Sequence, residues 1–315
     1  MSKFEFTLQP PDHWDALCAK HKALFHSPKW QSVLSQAFGS QTVYGWDANT
    51  HAGLAITVFR AGPFRVGYVG FPTGGSMGVN PLEPDMVLSW KEAHFPIKLH
   101  CLRVPVSAFD HSIALKLPFQ KVPETAITKL QEWQDNRLPD SVGRNIRKAT
   151  RAGIEIRDAN LSNHGDTMFH LYRETIKRHR GLLRYNAKYF RALISYSLTT
   201  PNLRCLLASF RNQIAGFLVV ALANNTVYYM HGAVNPALQR YRPGDLLFHS
   251  AIKSAQKEGI SCFNMMASPA DQPSLVRYKE KWGGITKQHK TYTLTIRALP
   301  HLCFRAAETF YRVLR

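Results

Sequence analysis

The chain lacks most of the signatures that would assign it quickly. No apolar run is long enough for a membrane span: the longest clean stretch is Ile214–Ala223, against the roughly 20 residues a spanning helix needs. The opening MSKFEFTLQP has no apolar core, so no secretory leader is expected. Cysteine is scarce. The five are Cys18, Cys101, Cys205, Cys262 and Cys303, an odd number with no CxxC pair. That excludes a disulfide framework and a cysteine-based zinc site. Their apolar neighbours suggest buried free thiols, as in a reducing cytoplasm. The 14 histidines form no HExxH, so no metal is assigned. The Gly-rich stretch Pro72–Gly78 has no following Lys-Ser or Lys-Thr, which excludes a P-loop. Neither a helix-opening GxGxxG nor a GxSxG is present, which argues against dinucleotide folds and common hydrolases. Acidic residues are few as well: 21 against 40 basic ones, for a net charge of +19. Such an excess points to an anionic partner, whether nucleotide, nucleic acid, phospholipid surface or polyphosphate carrier.

What is present is an ordinary globular balance. Of 315 residues, 45% are apolar and 19% charged, and the length suits two domains. Strand and helix patterns alternate throughout, giving an α/β (mixed α+β) chain. Ser27-Pro28 opens a helix that Gly39 closes. Strand patterns at 41–48, 52–60 and 65–71 precede the Gly-rich loop. Residues 122–139 are read as an inter-domain stretch. Beyond it come a helix at 141–152, helices at 165–180 and 187–197, and strands at 203–211, 213–223 and 226–233. Asn224-Asn225 is the expected hairpin turn between the last two. A helix at 243–258, a buried strand at 262–267, a short helix at 273–282, a strand at 287–297 and an amphipathic helix at 300–314 complete the pattern.

Three groups of residues could carry chemistry. Arg144, Arg147, Lys148 and Arg151 recur at i, i+3, i+4 and i+7, which places four cations on one helix face. Such a face is either solvated or a contact for a phosphate-bearing ligand. Arg178, His179, Arg180 and Arg184 form a second basic cluster. The segment QRYRPGDLL, residues 239–247, links a strand to a helix start. There Gly244 permits close backbone approach, free N–H groups attract anions, and Arg240 and Arg242 add charge, the ingredients of a pyrophosphate cradle. Finally, Tyr278-Lys279 follows a buried strand closely. A lysine there could stabilise an oxyanion or simply lie beside a packed tyrosine.

The order of HSPKWQSVLSQAFG, RNIRKATRAGIEI, YRETIKRHRGLLRYNAKYF, RPGDLLFHSAIKSAQKEG and RYKEKWGG resembles the Fem family of non-ribosomal aminoacyltransferases. It is similar also to their FemAB-like relatives within the GNAT acyltransferase superfamily. The resemblance spans nearly the whole chain. It implies two GNAT-like subdomains, each a mixed sheet flanked by helices. The expected division is residues 1–136 with 298–315 returning to them, and 137–297 as the donor-binding, catalytic half. It also implies that the Tyr278-Lys279 pair matches the aromatic-Lys pair at the family's catalytic centre. Gln31, Ser32, Val33 and Leu34 follow Trp30, so the phosphate-contacting Lys of some members has no counterpart.

The expected function is therefore acyl or aminoacyl transfer to an amine acceptor, in cell-envelope or surface-polysaccharide synthesis. The donor would be acyl-CoA or aminoacyl-tRNA, a co-substrate rather than a tightly bound cofactor. A CoA-dependent N-acyltransferase is the near alternative. A non-catalytic binder of nucleic acid or of a membrane surface is the alternative of a different class, and a peripheral membrane contact stays open under either.

Overall fold

The computed structural model describes residues 4–78, 82–109, 114–160, 163–179 and 181–313. The chain begins with β1 (Glu5–Thr7), α1 (Trp14–Lys20), α2 (Pro28–Phe38), β2 (Gln41–Asp47), β3 (Ala52–Ala61), β4 (Phe64–Val69), α3 (Pro84–Ser89) and β5 (Cys101–Val106). It continues through β6 (Phe119–Ile127), α4 (Asp140–Arg151), β7 (Glu155–Asp158), α5 (His164–Arg178), α6 (Ala187–Ser197) and β8 (Leu203–Phe210). Then come β9 (Gln213–Ala223), β10 (Thr226–Val234), α7 (Pro243–Lys257), β11 (Cys262–Ala267), α8 (Pro273–Glu280), β12 (Ile285–Thr295) and α9 (Ala298–Val313).

Local chemistry sets many of these boundaries. Ser27 Oγ accepts the Trp30 N–H at 3.2 Å, Pro28 takes the first helical position of α2, and Gly39 closes it at φ +64°. Asn224 and Asn225, at φ 48° and 56°, make the two-residue hairpin turn between β9 and β10. Arg242, at φ 62°, turns the chain into α7, and Pro243 begins that helix.

Two compact units result: residues 1–122 with 288–315, and residues 123–287. Unit 1 carries the strand order β1-β2-β3-β4-β5-β12, and unit 2 the order β7-β8-β9-β10-β11-β6. Every neighbouring pair is antiparallel except β4–β5 and β10–β11, which are parallel. The two sheets therefore repeat one pattern, with a parallel pair next to the closing strand. The strand that follows β5 closes the sheet of unit 2, and the strand that follows β11 closes that of unit 1. Each unit has its own core. In unit 1 it includes Ile56, Trp90, Leu102 and Tyr292; in unit 2 Leu130, Ala215, Phe263 and Trp282.

The expected division at 136/137 and 297/298 shifts earlier at both ends. β6 pairs with β11 through Thr125-region residues Ala126 and Ile127, and Trp133 Nε1 donates to Trp282 O at 2.8 Å. Residues 123–136 thus pack into unit 2. Lys290–Thr295 of β12 pair with β5, which places them in unit 1. β6 itself is a strand where only a linker was expected. Pro123 interrupts its pattern, and its first residues are exposed, so the alternation that marks a strand is weak.

The Gly-rich loop is packed down rather than open. A Cβ at Gly74 would collide with Pro105 O of β5, and one at Gly78 would lie 2.9 Å from the His51 carbonyl. Cys18, Cys101 and Cys205 are buried, Cys262 is partly buried, and Cys303 is exposed. Among the described residues, no helix is long and apolar enough to cross a membrane.

Candidate functional site

A cleft opens in unit 2 against β10, the first strand of its parallel pair. β10 and β11 pair only over Thr226–Tyr228 and Cys262–Asn264. Beyond that point β10 carries an extra residue, Met230, between Tyr229 and His231 in its register with β9. β11 is irregular too: Met266 adopts φ 61°, and its register with β6 shifts between Asn264 and Ala267. Bulges bend strands and break pairing, and against this end of β10 lies a cavity of about 380 Å³. Its walls come from the end of α5, from β9 and β10, from the first turn of α7 and from α8.

The start of α7 forms one side. Arg242, Pro243, Gly244 and Asp245 all line the cavity. The first N–H groups of a helix have no intrahelical acceptor, and the helix dipole favours negative charge there. A Cβ at Gly244 would stand 3.0 Å from Val234 Cγ2, so the glycine also lets this turn sit against β10. Arg178 and His179, at the end of α5, line the same cavity, and Arg178 Nη1 donates to Gln239 Oε1 at 3.2 Å. Three basic residues therefore line the cavity together with a helix N-terminus, an arrangement whose charge suits an anion.

Deeper groups can handle protons. Asp245 is 9% exposed, and burial raises its carboxyl above the ordinary range, against the opposing pull of Arg242, Tyr278 and Asn145. Tyr278 donates to Asp245 Oδ1 at 3.5 Å, and Asn145 Nδ2 lies 3.4 Å from Oδ2. Burial, then the nearby Asp245, push the Tyr278 phenol well above its usual range. Tyr229 also lines the cavity, with its phenol pushed up to about 12 by burial. Its hydroxyl has no protein partner among the described residues. A Cβ on Gly232 would stand 2.6 Å from that oxygen, so Gly232 makes room for the ring.

The residues expected from sequence divide. Tyr278, Arg242 and Gly244 meet at the cleft. Lys279 does not line it. Only 2% exposed, Lys279 donates from Nζ to Met266 O and to Ser268 Oγ, each at 2.8 Å. Burial lowers its ammonium to about 7, opposed by Glu124. It thereby ties α8 to the irregular end of β11, so its loss should disturb the fold as well as the site. Arg240 lies over the Tyr241 ring at 4.9 Å and donates to that residue's hydroxyl, away from the cavity. Arg144, Arg147, Lys148 and Arg151 stand on the exposed face of α4, while Val142 and Ala149 turn inward. None of the four forms an ion pair among the described residues. Of the second basic cluster, Arg180 lies outside the described residues. Asp245, Tyr229 and the cleft position of Arg178 were not singled out from sequence. A lone acid in a helix's first turn looks like ordinary dipole chemistry, and Arg178 is distant in sequence from the turn it meets.

The model for the GNAT acetyltransferase domain matches residues 138–280. The matched segment lies wholly within unit 2. No curated protein matches the chain by sequence. Among solved structures, FemX superposes with a TM-score of 0.62 at 13% identity, covering 91% of this chain and 96% of its own. L-PGS from Bacillus licheniformis gives 0.58 at 14%, covering 93% and 94%. A tandem GNAT protein from the clavulanic acid biosynthesis pathway gives 0.55 at 11%, covering 93% and 99%. At these identities the likeness is one of fold, and it extends over both units: the chain is built as two GNAT-like subdomains in tandem, each a mixed sheet flanked by helices.

Proposed function

We propose that the protein is a FemAB-like acyl- or aminoacyl-transferase, and that the cleft of the unit 2 GNAT domain binds an activated acyl group on a phosphate-bearing carrier. The observation that carries this reading is the start of α7, where Arg178, His179 and Arg242 line a cavity together with the helix N-terminus. Coenzyme A and aminoacyl-tRNA both present phosphates joined to a reactive acyl group, and either suits the turn. The exposed cations of α4, none of which forms an ion pair among the described residues, suit a long polyanion and favour tRNA. The resemblance to Fem proteins directs the amine acceptor towards cell-envelope or surface-polysaccharide chemistry in the cytoplasm.

In the proposed reaction the acceptor nitrogen attacks the acyl carbon. A C–N bond forms, and the C–S or C–O bond to the carrier breaks. Asp245, with its raised affinity for protons, takes the proton that the nitrogen loses. Tyr278 returns one to the leaving sulfur or oxygen and is recharged through Asp245. The free hydroxyl of Tyr229 donates to the oxyanion. Lys279 is a positioning residue: it holds the Met266 carbonyl and so the irregular end of β11. The test is turnover of acetyl-CoA and of aminoacyl-tRNA with amine acceptors, comparing the natural protein with Tyr229→Phe. Loss of one oxyanion donor slows such reactions by about 100- to 1000-fold. Tyr229→Phe should lower turnover on that scale with little change in the donor's KM. Unchanged turnover would remove Tyr229 from the reaction.

A further inference from the structure

A second basic pocket lies in unit 1, and the reaction above makes no use of it. A cavity of about 320 Å³ is lined by Arg60, Gly62, Pro63, Arg65, Lys98 and His100. Arg60 and Arg65 are direct partners across the β3–β4 pair, a placement that is destabilising for like charges. Arg297 adds a further cation beside His100, together with Lys98 and Arg65. Among the described residues none of these four side chains forms an ion pair. His100 is only 6% exposed, and its Nδ1 accepts the Arg65 backbone N–H at 2.9 Å. The neutral ring then carries its proton on Nε2, which has no protein partner among the described residues, and the ring forms part of the cavity wall. A buried N–H donor among uncompensated cations fits a phosphate oxygen.

α9 begins at the edge of this pocket. The N–H groups of Ile296 and Arg297 donate to His100 O at 3.1 and 3.0 Å, and the Phe304 ring packs against Phe64 at 5.5 Å. With His301 and Phe304 turned inward, the opposite face presents Leu299, 73% exposed, and Leu302, 64% exposed, followed by exposed Cys303 and Ala306. Spaced i, i+3, i+4 and i+7, these form an apolar stripe left in water beside the cations.

We propose that this face of unit 1 docks on an anionic phospholipid bilayer. A headgroup phosphate enters the Arg60–Arg65–Lys98–His100 pocket, and Leu299 and Leu302 enter the interfacial layer. A free phosphate would account for the pocket alone. A bilayer accounts for both the pocket and the exposed leucines, because helices that lie on membranes combine an apolar face with flanking cations.

The experiment is co-sedimentation of the full chain with vesicles of phosphatidylcholine alone and of phosphatidylcholine mixed with phosphatidylglycerol. Binding is expected only to the mixed vesicles. Each cation near an anionic surface is worth about fivefold in partitioning, so Arg60→Ala with Arg65→Ala should lower it by roughly 25-fold. Lys98→Ala, at an exposed position, should lower it by about fivefold and guards against a folding artefact. Leu299→Ser with Leu302→Ser should lower vesicle binding by about tenfold while leaving titration with inorganic phosphate unchanged. The proposal fails if neutral vesicles bind equally well, if no vesicle binds, or if Lys98→Ala and the leucine variants partition like the natural protein. Binding of inorganic phosphate without vesicle binding would make the pocket a free-anion site and overturn the bilayer.

Discussion

Asp245 shows how much of the site depends on the environment of single residues. Burial holds its carboxyl above the ordinary range, so the folded state favours the protonated form. Stability from this group is present at low pH and is lost as pH rises through its raised pKa. Wherever the carboxylate is ionised it therefore costs stability. Asp245→Asn should raise the thermal midpoint at neutral pH, yet lower acyl transfer by about 100-fold or more, the usual scale for a lost general base. Thermal melts and initial rates on one preparation check both. A variant that melts lower and still turns over normally contradicts the assignment. Sequence alone showed Arg242, Gly244 and Tyr278 as candidates because each belongs to a compact local pattern. It could not show that Lys279 turns away from the cleft to Met266 and Ser268. The direction of a side chain at the start of a turn depends on tertiary packing, not on spacing.

At the scale of elements, α4 and β10 differ in how well their sequences announce them. α4 was legible in full: its inward residues and its cations follow the helical period, and the cations do lie on the exposed face. Its role is a separate question. In titrations with tRNA at increasing salt, each lost phosphate contact reduces the slope of log affinity by about 1. Arg147→Ala with Arg151→Ala should thus reduce it by about 2. An unchanged slope would make the face a solvated surface. The hairpin from β9 to β10 was equally plain, because Asn-Asn supplies the left-handed turn. The extra residue Met230, which shifts the register of β10 beside the cleft, was not. A bulge changes register without changing composition, so a strand pattern looks continuous across it. β6 escaped for the opposite reason: its ladder with β11 begins only at Glu124, after Pro123, and its first residues are exposed.

Across the whole molecule, buried neutral histidines should govern acid stability, His26 in unit 1 and His231 in unit 2 most strongly. In unit 1 burial lowers His26 to about 4, and its Nδ1 accepts the Ala55 N–H at 3.0 Å. In unit 2 burial lowers His231 to about 3, and its Nε2 meets the Tyr189 hydroxyl at 3.0 Å. Both folded values lie below the unfolded one. Their contribution is therefore present above about pH 6.5 and is lost as pH falls towards the folded values. Denaturant melts should show stability falling steadily between about pH 6.5 and 4, and His26→Gln should flatten that fall for unit 1. A pH-independent midpoint across this window would contradict the neutral, buried state of both rings.

The net charge of +19 acquires a distribution at this scale: the mouth of the unit 2 cleft, the face of α4 and the unit 1 pocket. The central claim concerns the first of these, that the start of α7 holds the phosphates of an acyl carrier. Calorimetric titration of the whole protein with coenzyme A and with tRNA, repeated on Arg178→Ala with Arg242→Ala, tests it most directly. The account predicts that at least one carrier binds the natural protein and that the double variant binds it at least about tenfold more weakly, the effect of losing two charge-assisted hydrogen bonds. Equal affinity in the two proteins, or binding of neither carrier, would contradict it.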